Sequence, residues 1–461
     1  MSKTNFSSLN LKPDLIENLV TLGYQTMTPI QEQSLPYVLA GADLIAQGQT
    51  GSGKTAAFGL GLLNQLDVKQ FQLQSLVLCP TRELADQVAK EIRKLARSIQ
   101  NIKVLTICGG MPFGPQISSL QHGAHIIVGT PGRIEEHLRK ETLKLDKLTT
   151  LVLDEADRML EMGFQSAVDT IVEKTPNDRQ TLLFSATFPA QIKAISKRIL
   201  KKPEHVQVAS THDNSSIQQH LYKVDNDTDR LTAVRLLLLQ NMPISSVVFC
   251  NTKKEAQKVA DELYRDGFAA QALHGDLEQR DRDQTLVRFA NKSISVLVAT
   301  DVAARGLDID SLDAVINYHI AHDPEVHVHR IGRTGRAGNK GMAFTLFDAT
   351  EDYKVAMLEA YLNQSIAIES LPSLKLLEKK PAKAAMVTLL INGGKKQKVR
   401  AGDILGALTA DDGIAGKQVG KIQLFDNRAY VAVSRAAAKL ALTKLDEGKL
   451  KGRSFRVRRL G

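Results

Sequence analysis

Residues 48–55, with the sequence GQTGSGKT, have the residue types and spacing of a phosphate-binding loop. They follow an apolar strand pattern over 43–47 and precede a helical pattern over 56–66. Glycine amides at the start of a helix can surround a phosphate, because the helix dipole favours anions there. Lys54 is then expected to reach the β- and γ-phosphates of ATP, with Thr55 as a ligand of Mg²⁺. A Gly-Ser turn that matches by chance is the alternative, and the strand–loop–helix context disfavours it.

A second chemical motif, Asp154-Glu155-Ala156-Asp157, begins where the apolar run 151–153 ends. A strand that ends in two acids places carboxylates at the carboxyl edge of a parallel sheet, beside the phosphate loop. Asp154 is expected to hold Mg²⁺, and Glu155 to orient or deprotonate the attacking water. Taken alone, the motif could be an exposed helix start, since acids favour that position.

Two arginines, Arg333 and Arg336, lie three residues apart among glycines near residue 335. Hydrolysis of ATP needs positive charge on the γ-phosphate in the transition state, and such arginines can supply it as fingers from a second domain. A salt-bridged surface turn is the alternative reading. If the fingers belong to a second domain, hydrolysis depends on closure of two domains.

The elements that position these motifs alternate between short apolar runs and longer helical patterns such as 83–95 and 254–266. This alternation is typical of buried parallel strands with crossover helices, that is, doubly wound α/β domains. The strand candidates lie at 76–79, 126–128, 151–153, 182–184, 247–250, 296–299 and 314–316.

Two polar breaks divide the chain. The stretch 202–216 lacks periodicity and reads as a linker between two α/β domains, and the stretch 370–384 contains two prolines and a lysine cluster. The predicted organisation is two RecA-like doubly wound parallel-sheet domains and a C-terminal RRM-like α+β domain. The predicted boundaries are 1–209, 210–368, a linker over 369–385, and 386–461.

The formal charge of +10 is unevenly distributed. Residues 386–461 contain 16 Lys and Arg against six Asp and Glu, whereas residues 1–385 are balanced. A polyanionic partner for this C-terminal part is therefore the first hypothesis. A solvated basic surface that only aids solubility is the alternative.

Several classes of protein are excluded or disfavoured. No apolar run approaches the length of about 20 residues that spans a bilayer, so no membrane partner is expected. The N-terminus lacks the apolar region of a secretory signal. Cys79, Cys108 and Cys250 are far apart, which excludes a disulfide framework and disfavours a zinc site. We expect a cytoplasmic protein.

The motifs together resemble those of the DEAD-box ATP-dependent RNA helicases over residues 1–365. The resemblance implies that residues of both domains contact ATP. Gln31 is expected to contact the adenine base and Phe6 to stack on it. The implied ATP-binding residues are Phe6, Gln31, Gln49, Thr50, Gly51, Ser52, Gly53, Lys54, Thr55, Gly306 and Asp308.

The same resemblance implies RNA contacts in both α/β domains. These residues are Pro80, Thr81, Arg82, Gly110, Thr130, Pro131, Gly132 and Arg133 in the first domain, and Thr300 and Asp301 in the second. Ser185, Ala186 and Thr187 resemble the segment that couples hydrolysis to unwinding. Small residues, hydroxyls and glycine amides suit phosphates and riboses, so we expect no sequence preference in this part.

The C-terminal part has the predicted order β-α-β-β-α-β, which suggests an RRM-like fold. Tyr430 occupies a position where such folds stack a base, whereas Arg428 replaces a second aromatic residue. Phosphate and shape recognition of folded RNA is therefore the better prediction. The expected RNA-binding residues are Lys395, Lys396, Lys398, Arg400 and Tyr430.

Residues 387–396 and 402–408 also resemble the RNA-binding domain of the DbpA helicases. This resemblance implies tethering to a hairpin of large-subunit ribosomal RNA in pre-ribosomal particles. Three alternatives remain open: a DNA helicase or translocase, a helicase acting on other RNA, and an ATP-gated RNA clamp or assembly scaffold with little unwinding.

Overall fold

The computed structural model describes residues 4–48, 51–208, 217–304, 312–335, 340–410 and 412–460. The chain separates into two compact units, which among the described residues are 4–208 and 217–460. The basic C-terminal part lies within the second unit.

The first unit is built on a seven-stranded parallel sheet with the order β3-β4-β2-β5-β6-β1-β7. Its strands are β1 Leu44–Gln47, β2 Ser75–Leu78, β3 Val104–Ile107, β4 Ile126–Gly129, β5 Thr150–Asp154, β6 Gln180–Ser185 and β7 Glu204–Gln207. Its helices are α1 Pro13–Thr21, α2 Pro29–Leu39, α3 Lys54–Gln65, α4 Arg82–Leu95, α5 Phe113–Gln121, α6 Pro131–Arg139, α7 Ala156–Glu161, α8 Gln165–Glu173 and α9 Ala190–Ile199. Because the strands are parallel, the carboxyl ends of β5, β6 and β1 lie side by side at one edge.

The second unit contains another seven-stranded parallel sheet, with the order β10-β11-β9-β12-β13-β8-β14. Its strands are β8 Ile217–Lys223, β9 Ser246–Cys250, β10 Ala270–Leu273, β11 Val296–Thr300, β12 Ala314–Asn317, β13 Gly341–Phe347 and β14 Ile368–Glu369. Its helices are α10 Asp227–Asn241, α11 Lys253–Arg265, α12 Gln279–Ala290, α13 Asp301–Ala304, α14 Pro324–Ile331 and α15 Asp352–Leu362. Apolar β-branched strands such as β9 and β11 are wholly buried, as expected for a sheet covered on both faces.

The third sheet is antiparallel, with the order β16-β17-β15-β18. Its elements are β15 Met386–Ile391, α16 Ala401–Thr409, β16 Val419–Leu424, β17 Ala429–Ser434, α17 Ala438–Glu447 and β18 Val457–Arg459. Val387, Leu389 and Ile391 alternate along β15 and pack with Ala441 and Leu445 of α17. One face of this sheet is therefore covered by its own helices, as in an RRM-like fold.

The architecture confirms the predicted fold class of two doubly wound parallel sheets and a small α+β sheet. The linker prediction over 202–216 is wrong for Glu204–Gln207, because β7 pairs with β1 at the edge of the first sheet. The predicted linker over 369–385 is also partly structured, since β14 pairs with β8, and Leu371 and Leu376 pack on the second core. The domain boundaries themselves stay predictions.

Two other predictions concern composition rather than topology. Within the described ranges, no helix is long and apolar enough to cross a bilayer. The cysteines Cys79, Cys108 and Cys250 are buried as free thiols.

Candidate functional site

The phosphate-binding loop connects β1 to α3, which begins at Lys54. Gly53 has φ +96, a conformation that side chains rarely adopt, and an added Cβ would lie 2.5 Å from Gln31 Nε2. Gln31 Nε2 donates to the Gly53 carbonyl at 3.1 Å, and the Thr28 amide donates to Gln31 Oε1 at 2.9 Å. Gln31 is thereby held against the loop, and its contact with adenine stays a prediction.

Lys54 is buried, and its Nζ donates to the Gly48 carbonyl at 2.6 Å. This hydrogen bond holds the ammonium group against the loop. A phosphate oxygen of a nucleotide would replace the Gly48 carbonyl as the acceptor of this bond. Thr55 and Ser52 are half-buried and Gly51 is exposed. Gln49 and Thr50, which we also predicted as ATP contacts, lie outside the described residues.

The acidic pair lies at the carboxyl end of β5. Burial raises the pKa of Asp154 to about 7, and the neighbouring Glu155 carboxylate adds to the shift although the Lys54 ammonium opposes it. The Glu155 amide donates to Asp154 Oδ1 at 3.1 Å. Glu155 itself has φ +51, so the chain turns sharply between β5 and α7 and presents both carboxylates at the sheet edge.

Hydrogen bonds join this acidic motif to the segment 185–187 at the end of β6. Asp157 Oδ2 accepts from both the amide and the hydroxyl of Thr187, each at 2.9 Å. Burial would raise the pKa of Asp157, but these bonds and the charges of Arg158 and Lys54 lower it overall. Ser185 Oγ donates to the Thr187 carbonyl at 2.7 Å.

The same segment also contacts the phosphate loop. The Gly48 amide donates to the Ser185 carbonyl at 3.0 Å, and Gln47 Nε2 donates to the Ala186 carbonyl at 3.4 Å. A single hydrogen-bonded path therefore joins the acidic motif, the coupling segment and the phosphate loop. The sequence motifs did not predict that Asp157 binds the segment 185–187, although its place in the acidic tetrapeptide could have indicated it.

Phe6 requires a correction. Its ring is only 3% exposed and packs edge-on against Tyr24, with 6.1 Å between ring centroids. The predicted stacking of Phe6 on a nucleotide base therefore does not hold in this arrangement, because the ring belongs to the hydrophobic core of the first unit.

The predicted RNA contacts of the first unit gather at the carboxyl ends of β2, β3 and β4. Thr81 Oγ1 accepts from the Leu84 amide and caps α4, and the Gly109 amide donates to Thr130 Oγ1 at 3.3 Å. Gly110 and Gly132 are exposed, whereas the side chains around them are mostly buried: Pro80, Thr81, Thr130 and Pro131. Among the predicted contacts, the exposed positions are therefore glycines, whose backbone is open to a ligand.

The two arginines of this group have protein partners. Arg82 Nε lies 3.9 Å from Asp86 Oδ2, one helical turn away. Arg133 is more strongly held, because its NH1 donates to the Met111 carbonyl at 2.9 Å and to Gln116 Oε1 at 2.8 Å. Its Nε lies 3.1 Å from Glu136 Oε2. In this arrangement Arg133 fixes the loop that follows Gly110 rather than presenting a free guanidinium group.

In the second unit, Thr300 ends β11 and Asp301 begins α13. Asp301 accepts from Nε and NH2 of Arg330, both at 2.7 Å, which forms a bidentate ion pair. Arg330 is 3% exposed and also donates to Asn251 Oδ1 and the His319 carbonyl. Asp301 therefore holds the Arg330 side chain in this arrangement, its contact with RNA stays a prediction, and Arg330 is a neighbour that sequence reasoning did not include.

Arg333 follows α14 and is half-buried. Its amide donates to the Arg330 carbonyl at 3.2 Å, and its carbonyl accepts from the Leu312 amide at 3.1 Å. The buried Arg330 thus supports the backbone that carries Arg333. We also predicted ATP contacts for Gly306 and Asp308, and Arg336 as the second arginine finger. These three residues lie outside the described residues.

The C-terminal basic residues that we predicted to bind RNA surround the start of α16. They are exposed side chains: Lys395, Lys396, Lys398 and Arg400. Lys396 Nζ lies 3.8 Å from Asp426 Oδ2 at the surface, a pair that contributes little to stability. The group is therefore available to a polyanion.

Tyr430 is the exception in this set. It is 2% exposed and packs with Val287 of α12, Leu390 and Leu460. Its ring faces the second parallel-sheet domain rather than solvent, so the predicted contact of Tyr430 with RNA does not hold in this arrangement.

Taken together, the phosphate loop, the acidic pair at β5 and the two RecA-like sheets define a P-loop nucleoside triphosphatase with an attached RRM-like module. Three family profiles match the chain: DEAD/DEAH box helicase over residues 28–195, helicase conserved C-terminal domain over 229–338, and DbpA RNA binding domain over 388–459. The chain belongs to the DEAD-box ATP-dependent RNA helicases of the DbpA type.

Full-length relatives support this assignment. The chain is 54% identical over 461 residues to the ATP-dependent RNA helicase DbpA of Escherichia coli (strain K12), covering 99% of this chain and 100% of the relative. It is 36% identical to the ATP-dependent RNA helicase DbpA of Bacillus subtilis (strain 168), with 98% and 99% covered.

Solved structures resemble about four fifths of the chain. S. cerevisiae Dbp5 bound to RNA and ADP BeF3 has a TM-score of 0.72 and 31% identity, covering 82% of this chain and 100% of that one. Mss116p bound to ssRNA and AMP-PNP has a TM-score of 0.73 and 26% identity, with 81% of each chain covered.

Proposed function

We propose that this helicase is an RNA-stimulated ATPase that locally unwinds ribosomal RNA during assembly of the large ribosomal subunit, in the cytoplasm. In this proposal the basic C-terminal module binds a hairpin of that RNA within pre-ribosomal particles. The observation that carries the proposal is the match to DbpA helicases over the full chain, including the module that contains the charge excess.

ATP binding is assigned to the first unit. Gln31 beside Gly53 would contact the adenine, and Lys54 would exchange its bond to the Gly48 carbonyl for one to the β- and γ-phosphates. The donor set fits Mg²⁺, because the buried Asp154 carboxylate and the Thr55 hydroxyl are hard oxygen ligands beside the loop. When bound, Mg²⁺ would neutralise charge on the β- and γ-phosphates.

Glu155 is proposed to orient the attacking water or accept its proton, since its carboxylate follows Asp154 at the same sheet edge. Arg333 and Arg336 are proposed to stabilise the negative charge of the transition state when the second unit closes on the nucleotide. RNA that contacts both units would favour closure, and by linkage ATP would then strengthen RNA binding.

The path from Asp157 through Thr187 and Ser185 to Gly48 supports a coupling role for the segment 185–187. A change in the phosphate loop on hydrolysis would be transmitted along these bonds. The exposed glycines and backbone amides that follow β3 and β4 suit an RNA backbone, so this part of the enzyme would bind RNA irrespective of sequence.

ATP hydrolysis and strand separation should be measured with four nucleic acids: fragments of large-subunit ribosomal RNA, unrelated structured RNA, single-stranded RNA and DNA. We expect strongest stimulation by one ribosomal fragment, weaker stimulation by other RNA, and little by DNA. Equal stimulation by ribosomal and unrelated RNA would contradict the ribosomal assignment. Stimulated hydrolysis without strand separation would favour an ATP-gated clamp, and equal activity with DNA would favour a DNA helicase.

A further inference from the structure

An open cleft of about 420 Å³ lies between helix α12 and the C-terminal module, within the second compact unit. Every residue that lines it is a hydrogen-bond donor, and four of the six are arginines. The lining residues are Arg280, Asn392, Asn427, Arg428, Arg456 and Arg458. Arg280 belongs to the second parallel-sheet domain, whereas the other five belong to the module, so the cleft exists only where the two are docked.

Apolar contacts hold that docking in place. Val287 of α12 packs against Leu390, Tyr430 and Leu460 on the sheet face opposite α17. Leu390 and Tyr430 are 1% and 2% exposed. The sheet face that RRM-like folds commonly use for base stacking is therefore an internal interface of this unit.

Buried polar contacts add specificity to the interface. Asn291 Nδ2 donates to Thr388 Oγ1 at 3.2 Å, and the hydroxyls of Ser293 and Thr388 lie 2.8 Å apart. Thr388 is fully buried. Because such groups are costly to bury without partners, these bonds favour one orientation of the module over others.

The backbone of the module places the arginines at the edge of this interface. Arg458 pairs across the sheet with Leu390, so it lies on the face towards α12, and Arg456 lies two residues earlier in the chain. The Asn392 amide donates to the Arg456 carbonyl at 3.0 Å. An added Cβ at Gly394 would lie 2.6 Å from the Arg428 amide nitrogen, so a glycine lets residue 394 pack against the backbone of Arg428.

The charges in the cleft are not balanced by its own lining, which contains no carboxylate. Among the described residues, no ion pair is found for Arg280, Arg428, Arg456 or Arg458. The Asp283 carboxylate of α12 is near Tyr430: the charges of Asp283, Arg280 and Arg428 all act on the Tyr430 hydroxyl, to which Arg428 is also hydrogen-bonded. Four guanidinium groups held together repel one another, and an anion with several acceptor oxygens relieves that repulsion.

We propose that this cleft binds backbone phosphate of RNA, with Arg280 and the arginines of the module contacting the same stretch of strand. The proposal rests on the RNA-binding function proposed above and adds a site to it. RNA captured by the module would then be bound by the second parallel-sheet domain as well. The module would present its RNA in a fixed direction instead of acting as a freely swinging tether.

The test uses the full chain and measures binding of a fluorescent structured ribosomal RNA fragment without ATP over a range of salt concentrations. Arg280→Gln and Arg458→Gln remove one charge each from opposite walls of the cleft, and the double variant combines them. Lys439→Gln is the matched control, because it removes an exposed charge from α17 on the other side of the sheet. Thermal unfolding of each variant checks that the fold is unchanged.

We expect Arg280→Gln and Arg458→Gln each to weaken binding by about fivefold and to reduce the salt slope by about 0.7 to 0.9. The double variant should lose less than the product of the two effects, since both side chains contact one phosphate stretch. The proposal is overturned if Arg280→Gln matches Lys439→Gln, and the shared site is overturned if the two losses multiply. Absence of any RNA binding by the unaltered chain would instead remove the proposed function itself.

Discussion

At the scale of single residues, Lys54 is the side chain on which nucleotide chemistry depends most directly. It is buried within the loop, and its ammonium group donates a hydrogen bond to the backbone carbonyl of Gly48, which a phosphate can replace. We predict that Lys54→Ala lowers the RNA-stimulated rate of ATP hydrolysis by about a hundredfold or more, because the transition state loses a preorganised charge.

Steady-state phosphate release at saturating RNA measures this effect, and RNA binding without ATP should remain unchanged. Lys90→Ala serves as the control, since Lys90 is an exposed lysine on α4. Turnover close to that of the unaltered chain would mean that the phosphates bind elsewhere.

Asp301 gives a second prediction, because the structure assigns it a partner different from the expected RNA. Its carboxylate neutralises Arg330, whose side chain is 2% exposed. We predict that Asp301→Ala destabilises the second unit by about 3 to 5 kcal/mol, since removal of one partner leaves a buried charge.

Urea unfolding measures that cost, and Asp301→Asn should recover part of it by keeping one hydrogen-bond acceptor. If Asp301 acted only as an RNA contact, Asp301→Ala would weaken RNA binding without changing the unfolding midpoint.

These residues also show what sequence alone could predict about the site. The places of these residues in the fold were predictable, because apolar runs and a glycine-rich loop mark the start of α3 at Lys54 and the end of β5 at Asp154 and Glu155. The burial of Phe6 and Tyr430 was not predictable, since it depends on elements distant in sequence that pack against these rings.

At the scale of elements, the predicted strand candidates have apolar, buried side chains, although β13, which is also apolar and buried, was not among them. The edge strands β7 and β14 were missed, because their residues are mostly exposed and polar and therefore resemble loops. Their places in the sheets depend on backbone pairing with β1 and β8, which leaves no hydrophobic signal in the sequence.

Helix α10 is fixed to the second sheet by the hydrogen bonds and ion pairs of one buried arginine. Arg230 is fully buried and donates to the Tyr318 and Leu346 carbonyls at 2.9 and 3.2 Å. Its charge is neutralised by Asp348 and Glu351 beyond the end of β13. The hydrogen bonds therefore join α10 to β13 and to the residue that follows β12, and the ion pairs join it to the turn after β13.

We predict a pH dependence of stability from this contact. Hydrogen bonds from Thr350 and then from Arg230 lower the pKa of Asp348 from 3.8 to about 2. A carboxyl group whose pKa is lower in the folded state stabilises the fold above pH 3.8, and this stabilisation is lost as the pH falls towards 2.

Thermal unfolding between pH 5 and pH 3 should therefore show a smaller decrease for Asp348→Asn than for the unaltered chain. Glu378→Gln, which alters an exposed carboxylate of the same unit, controls for general acid sensitivity. An identical decrease in the unaltered chain and Asp348→Asn would contradict the prediction.

At the scale of the whole molecule, the charge distribution and the compact units divide the chain differently. The last 76 residues contain the excess of positive charge, yet the module belongs to the same compact unit as the second parallel sheet. Composition predicted a separate basic domain, and it could not predict that α12 covers one face of that domain.

This docking changes how the module's role should be tested. Deletion of residues 386–461 would expose Val287 and leave the buried polar groups of Asn291 and Ser293 without Thr388. A deletion therefore alters the second parallel-sheet domain as well as removing the RNA-binding module. A point substitution at the interface keeps the whole chain and separates the two effects.

We predict that Val287→Asp releases the module while both parallel-sheet domains remain folded, because a carboxylate facing Leu390 and Tyr430 is costly to bury. Lys379, Lys380 and Lys383 of the preceding segment are already exposed, and release of the module should free the backbone of this segment to enter the protease site, so that trypsin cleaves there about ten times faster. Val20→Asp is the matched control, since the same change occurs at a side chain that is 72% exposed.

ATP hydrolysis with unrelated RNA should persist in Val287→Asp, whereas the preference for a ribosomal fragment should decrease, because RNA on the module no longer has a fixed direction relative to the second sheet. Equal cleavage rates in the two variants would show that the apolar contact does not hold the module in place.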